Sequence, residues 1–537
     1  MAKRLRVGII GGGLGGLAAA IATARTGADV TVLEAATELG EIGAGIHIFP
    51  NASRFLLRWG VDQLIGDNLV QHDEANTWSG GPGLHPISKL DAKAEARKCG
   101  FPWHIVRRDH LHAGLAQSAR QHGAQIIVNA RITSFDDITS STTVTVHTTP
   151  NNPNAPTPNP TYTFDLLIAA DGIKSATRAQ LFPTIHPIPY GPACAYRHTL
   201  QTSHLLASIP EAKGWFSQQL NMWCGPHGYL VTYPLSGGRE VNITVCFYTS
   251  SQGCDHTDPS TWPDKIVEDA DLSELHEQLK VYPEIVQRMW ALVPSSNRTR
   301  WPLLHIPVHK LPSFRNDKGN IVLMGDACHA MNPALAQGAA TAIEDAAFLG
   351  HVVGEIQKGY VSISEATKLY EQRRRPKAWM KQMNAFVGAD IICGGPGPSW
   401  LRISNSNAST GAAVNGHENA ESTANGHVKQ SISKPATTDT SYTYSYDEVR
   451  NPRDAFIHKQ GRESSWHQSF QVEINPRHFY YDAEADADDA VAQHLLRKAT
   501  LTDDRRGTVD LLERKFWGGL FPVTTENEDG GQVDGKI

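Results

Sequence analysis

The first 34 residues constrain the fold more than any other stretch. Arg6-Val7-Gly8-Ile9-Ile10 is a short apolar run, the pattern of a strand buried on both faces. It runs straight into Gly11-Gly12-Gly13-Leu14-Gly15-Gly16, and Leu17 to Thr26 then reads as a helix rich in Ala and Leu. Gly27-Ala28-Asp29 turns the chain, Val30-Thr31-Val32-Leu33 is a second strand, and Glu34 closes the unit. Strand, glycine turn, helix and strand in this order make a βαβ unit, which requires a parallel sheet. Gly11, Gly13 and Gly16 fall on G-x-G-x-x-G. Gly11 permits the tight turn, Gly13 lets backbone approach a pyrophosphate, and Gly16 lets the helix pack close to the strand. The helix N-terminus then presents free N–H groups to the phosphates. Glu34 lies 18 residues after Gly16, where an acid hydrogen-bonds a ribose hydroxyl. Because a carboxylate repels a 2′-phosphate, this site favours FAD or NAD over NADP.

The remaining chain is long for one core. At 537 residues two or three domains are expected, and the net charge of -6 gives no reason to expect a nucleic-acid partner. Seven cysteines, an odd number without a C-x-x-C pair, argue against a disulfide framework and against structural zinc, and favour a reducing compartment, with the cytoplasm as the expected location. No run approaches the roughly 18 apolar residues of a membrane span. Arg373-Arg374-Arg375 reads as the solvated face of a helix. His305 and His309 are four apart, but Pro307 between them breaks a helical metal pairing, so no metal site is expected.

Further strands end in chemistry-bearing loops. Ala44, Gly45 and their glycine-spaced neighbours can pass close to a flat ligand, and Ser53 to Trp59 has helical spacing. Asp73 to Cys99 is polar and hard to assign. Arg107 and Arg108 open a helix with Leu111 and Leu115 on one face. A basic pair there is unfavourable for the dipole unless an anionic ligand sits nearby, a surface pair being the plainer alternative. Pro150 to Pro160 reads as an exposed hairpin loop. Phe164 to Ala170 is an apolar strand ending in Asp171-Gly172, and Asn320 to Met324 is another ending in Gly325-Asp326. Between them, about 187 to 300, period-2 strands such as Val241 to Phe247 predict an antiparallel-rich layer. A long Ala-rich helix follows Gly338-Ala339, and Ile363 to about Ala385 is again helical. Residues 395–450 are rich in Ser, Thr, Asn and Gly and read as a disordered linker, and the last dozen as an acidic tail.

In open α/β sheets ligands bind at the carboxyl ends of strands, where the Gly11–Gly16 loop, Asp171-Gly172 and Gly325-Asp326 all fall. Together they resemble the single-component, class A FAD-dependent aromatic monooxygenases such as salicylate hydroxylase and p-hydroxybenzoate hydroxylase. The likeness covers residues 5 to 385 in motif order. It includes Asp171-Gly172 through Arg178, Gly325-Asp326-Ala327-Cys328-His329 to Pro333, Ala336-Gln337-Gly338, and Ile343-Glu344-Asp345-Ala346. Gly40 to Ile46 with Pro50-Asn51-Ala52, Ala195-Tyr196-Arg197, Gly225-Pro226 and Tyr233-Pro234-Leu235 are typical of its fungal salicylate-hydroxylase-like branch.

The resemblance implies an α/β fold: a Rossmann-type FAD-binding domain from 1–80, 104–186 and 300–385, with an inserted antiparallel-sheet substrate domain from 81–103 and 187–299. A linker at 386–450 and a helical C-terminal segment at 451–537 complete it; the linker departs from the family pattern. Arg108, or else Arg107, matches the arginine on the FAD phosphates. Asp326 matches the ribityl ligand, and Pro333 lies by the flavin ring. Arg197 and Tyr233 match residues that hold a substrate phenolate in the branch, a surface ion pair and a core tyrosine being the plain alternatives. The implied chemistry is hydroxylation of a phenolic ring with NADPH or NADH and O2, through a flavin hydroperoxide. Dearomatisation or decarboxylation, and a monomer or homodimer, stay open. An alkene epoxidase and a redox-inert flavin-binding regulator are the competing readings, while a flavin halogenase lacks its tryptophan motif here.

Overall fold

A computed structural model describes residues 4–40, 44–81, 83–136, 143–149, 160–215, 218–225, 228–248, 263–268, 270–294, 299–393 and 479–501. Most of the expected Pro/Asn-rich loop, the linker beyond residue 393 and the acidic tail lie outside these residues.

The opening unit forms as its sequence predicts. β1 (Arg6–Ile10) leads through the glycine loop into α1 (Leu14–Ala24), which returns to β2 (Asp29–Leu33). Both strands belong to a five-stranded sheet in the order Ile321–Leu323, Leu166–Ala169, β1, β2, Gln125–Ile127, with every neighbouring pair parallel. The three strands that end in the glycine loop, Asp171-Gly172 and Gly325-Asp326 are therefore adjacent. Ile10 stands beside Ala169, and Ala169 beside Leu323, so the three motifs emerge side by side from one edge.

Short β3 (Gly45–Ile48) pairs antiparallel with His104–Arg107, which leads into α2 (Arg108–Gln121). The Ala-rich α3 (Gly338–Gln357) packs along α1, where a Cβ on Gly350 would come within 2.5 Å of the Ala22 Cβ. α4 (Ile363–Cys393) is longer than expected, and α5 (Ala483–Leu501) packs on both α3 and α4. Ala483, Ala487, Ala490, Val491 and Leu495 of α5 join the main core.

A second sheet has seven strands in the order Trp301–His305, Ile188–Gln201, Glu240–Tyr248, Gly228–Leu235, Gln219–Cys224, Glu74–Ser79, Pro86–Asp91. It is antiparallel except where Gln219–Cys224 meets Glu74–Ser79. Two edges of the expected partition shift accordingly. Glu74–Ser79, placed with the cofactor domain by a boundary at 80, is a strand of this sheet, and so is Trp301–His305, placed there by a boundary at 300. The polar stretch after Asp73, which sequence left unassigned, supplies two of its strands. Period-2 alternation divides the sheet's faces. Tyr196, Trp223, Leu230, Ile243 and Val245 pack against the helices Ser273–Leu279 and Glu284–Ala291. Of the intervening residues, Met222, Val231, Thr244 and Cys246 line the cavity described below, and Ala195 and Tyr229 share a cluster with Met383 and Phe386 of α4.

The triple arginine is not a solvated face. Arg374 is fully buried, Arg373 pairs with Asp486 and Asp489, and Arg375 pairs with Glu371. Sequence pattern misread the run because the covering helix α5 arrives from more than a hundred residues away.

Candidate active site

A cavity of about 690 Å3 lies between the parallel sheet's carboxyl edge and the seven-stranded sheet. Gly11, Gly13, Glu34, Ala44, Gly45, Arg108, Asp171, Gly172, Asp326, Pro333, Gly338 and Ala339 all line it, together with Arg197 and Tyr233. Of the residues singled out from sequence only Gly16 is absent from the wall, and its place explains why. A Cβ on Gly16 would sit 1.9 Å from the Gly11 carbonyl oxygen, so this glycine shapes the loop from behind. Gly11 itself has φ +96, with Ala170 O 2.6 Å from any added Cβ. Replacing Gly16 by alanine is therefore expected to displace the loop and leave the purified protein with little flavin, read from its visible absorbance. A full complement of flavin in that variant would contradict the assignment.

The dinucleotide end is held rigidly. Glu34 accepts from the Gly12 N–H (2.6 Å) and the Ala36 N–H (2.7 Å), which fixes its carboxylate beside the loop. His112 of α2 meets the Gly12 carbonyl at 2.7 Å. The basic pair divides its duties. Arg107 is committed to Glu240 (2.7 Å) and Asp109 (2.9 Å), whereas Arg108, at the start of α2, lines the cavity. Of the pair, Arg108 is the one that lines the cavity.

The Asp171 loop is built around two hydrogen bonds to one carboxylate oxygen. The Thr177 N–H and hydroxyl donate to Oδ2 at 3.0 and 3.1 Å, while the buried Oδ1 has no protein partner. A buried carboxylate oxygen without a donor is costly, and a ligand hydroxyl at the cavity wall satisfies it. Arg178 staples two loops together: its Nη2 donates to Ile173 O and its Nη1 to Ala327 O, both at 2.7 Å. The orphaned Asp171 oxygen and the glycine cradle that any Cβ would fill both fit a bound dinucleotide.

Under the Gly325 loop lies a fully buried ionic network. Asp345 accepts from the Gly325 N–H (3.1 Å), His329 Nε2 (2.5 Å) and Arg374 Nε (2.8 Å). Glu344 accepts from Arg374 Nη2 (2.7 Å), Lys381 Nζ (2.6 Å) and Asn51 Nδ2 (2.5 Å). Burial alone would raise the Asp345 pKa, but His329 and Arg374 outweigh it and hold the carboxyl at about 2.

The opposite wall is the seven-stranded sheet. Tyr229, Val231 and Tyr233 project from one strand at period 2, with Leu220, Met222, Thr244 and Cys246 beside them. Arg197 is the only charged side chain that this sheet contributes to the lining, and among the described residues it has no ion-pair partner. Tyr233 is buried, its hydroxyl donates to Gly45 O at 3.1 Å, and burial pushes its phenol up. To hold a ligand through that proton, the hydroxyl must leave Gly45. Sequence reasoning missed His47, Phe49 and Trp103, which close this end. His47 lies 4.4 Å from Tyr233, ring centroid to centroid, and burial lowers its pKa to about 3, so the imidazole is neutral. Tyr229 and Val231 were legible from the alternation around Tyr233; His47 and Trp103 carried no local signal.

Among the described residues, no disulfide joins Cys99, Cys194, Cys224, Cys246 and Cys328. Among the described residues, no three His, Cys, Asp or Glu side chains gather as a metal site, and no helix is long and apolar enough to cross a membrane.

This fold and site define a dinucleotide-binding flavoprotein, and comparison with known families agrees: the chain belongs to the FAD binding domain family, whose model matches residues 4–188 and 216–385. It is similar to the FAD-dependent monooxygenase OpS4 of Beauveria bassiana (strain ARSEF 2860), at 32% identity over 377 residues, covering 69% of this chain and 81% of the relative. It is also similar to salicylate hydroxylase of Pseudomonas putida, at 28% identity, covering 72% and 86%. Among solved structures, a salicylate hydroxylase substrate complex matches with TM-score 0.58 at 22% identity, covering 73% of this chain and 90% of that one, a likeness of fold.

Proposed function

We propose that the protein is an FAD-dependent monooxygenase that hydroxylates a phenolic or related aromatic small molecule, consuming O2 and NADPH or NADH. The balance is one ring C–H, one O2, one NAD(P)H and one proton giving the ring C–OH, water and NAD(P)+. Bound FAD supplies the redox and oxygen-transfer chemistry. The chain's own residues bind, orient and exclude water. In this reading the glycine loop and Arg108 hold the pyrophosphate, Glu34 a ribose hydroxyl, and Asp171 and Asp326 the cofactor's hydroxyls. Pro333, Gly338 and Ala339 border the flavin ring. We assign the parallel sheet to the cofactor and the seven-stranded sheet to the substrate.

The observation that carries the substrate class is Arg197, the one charged side chain that the seven-stranded sheet contributes to the cavity wall among the described residues. A guanidinium there favours the ionised form of a phenol and lowers its pKa, which makes the ring more nucleophilic. Aromatic and apolar walls from Phe49, Trp103, Tyr229 and Met222 suit a flat ring. The names of relatives that include salicylate hydroxylase and a 3-hydroxybenzoate 6-hydroxylase of Klebsiella oxytoca support the same class over the epoxidase and regulator readings. Described cysteines that form no disulfide with one another suit a reducing compartment such as the cytosol, and a monomer or homodimer is the assembly we expect.

The deciding experiment is anaerobic flavin reduction by NADPH and by NADH, with and without substituted phenols and salicylates. Acceleration by at least one phenol is expected, about tenfold or more. A flavin that is reduced at one rate whatever aromatic is added would remove the phenol assignment.

A further inference from the structure

We propose that the C-terminal segment, residues 479–501, which lies beyond the family match, positions the cofactor loop at Gly325-Asp326 through Tyr481 and Arg374. The inference rests on the cavity being the FAD site. The Tyr481 ring lies face-on to the Arg374 guanidinium at 5.1 Å and to the Lys377 ammonium at 4.9 Å. Arg374 Nη1 is buried without a hydrogen-bond partner, and an aromatic face is the contact that steadies a cation left so. The same guanidinium grips Asp345, whose other oxygen takes the Gly325 N–H. Tyr481 is thus two side chains removed from a loop that lines the cavity.

The segment is seated by complementary charge and by one aromatic anchor. Asp482 meets Arg54 and Arg58, Glu484 meets Arg58, and Asp486 meets Arg373 and Lys377. Each such pair contributes little alone where water reaches it, but together they set the register of the helix. Phe479 is fully buried and stacks on Phe49 at 5.0 Å, and Arg54 donates to its carbonyl at 2.8 Å. With the Tyr481 hydroxyl donating to Asp486 at 2.7 Å, register and anchor set the Tyr481 ring against Arg374.

The test uses the full chain, stripped of flavin and titrated with FAD, so that it needs no substrate and is unaffected if no phenol is turned over. Tyr481→Leu is expected to raise the FAD Kd about tenfold, and Tyr481→Phe, which keeps the ring, to stay within about twofold of wild type. Leu495→Ala is the control. It cuts a buried contact of α5, in the same segment and about 20 Å further along, and it should lower the melting temperature with FAD affinity within about twofold of wild type. The proposal is overturned if Tyr481→Leu binds FAD as tightly as wild type. It is equally overturned if Leu495→Ala weakens FAD as much as Tyr481→Leu does, because the segment would then act only through overall stability.

Discussion

Replacing Arg197 by methionine lowers kcat/KM for the preferred phenol by about 30- to 1000-fold, the usual cost of truncating one partner of a charge-assisted contact that bound substrate covers. Methionine keeps the length of the stem and removes the charge. Flavin content should be unchanged, because the other cations of the cavity wall, Arg108, Arg131 and Lys174, stand outside the seven-stranded sheet. Lysine at the same position should recover part of the loss, since it restores charge without the planar fork. Steady-state kinetics with anaerobic flavin reduction separates the outcomes. If the methionine variant turns over the phenol like wild type, the cation has no substrate role and the lining of this wall needs another explanation.

Glu344→Leu destabilises the protein by about 3–5 kcal/mol, because it leaves Lys381 and Arg374 buried with one carboxylate between them. A loss of that size moves the melting temperature down by roughly 10 °C for a domain of this size. The double variant Glu344→Leu with Lys381→Met removes a charge of each sign and should recover most of that loss. Calorimetry or thermal unfolding of the flavin-loaded proteins decides it. A double variant no more stable than the single one would mean that the network does more than neutralise itself. The same network gives a pH signature. The folded Asp345 carboxyl sits at about 2, below its unfolded value. Its contribution is complete above the usual carboxylate range, about pH 4, and is lost as pH falls toward 2.

Much of the cofactor half was legible because its signals are local. A glycine with φ +96 at Gly11 and a collision of 1.9 Å at Gly16 are properties of a short loop, and a glycine pattern encodes them directly. Apolar runs ending in Asp171-Gly172 and Gly325-Asp326 mark buried strands and their carboxyl ends, whatever lies elsewhere. The substrate half was less legible. Glu74–Ser79 is polar on its face and became a strand by pairing with Gln219–Cys224, some 145 residues away. His47 and Trp103 became cavity walls through packing that no periodicity records.

The sequence by itself determined the βαβ unit and the order of the three strand-end motifs. Tertiary structure alone decided that those motifs stand side by side, that Arg374 is buried, that Arg107 is committed to Glu240 and Asp109, and that Tyr233 holds Gly45. The physical reason is common to all four. Backbone conformation and strand burial follow from neighbours in the chain, whereas adjacency of strands, the fate of a charge and the partner of a hydroxyl depend on groups that only folding brings together.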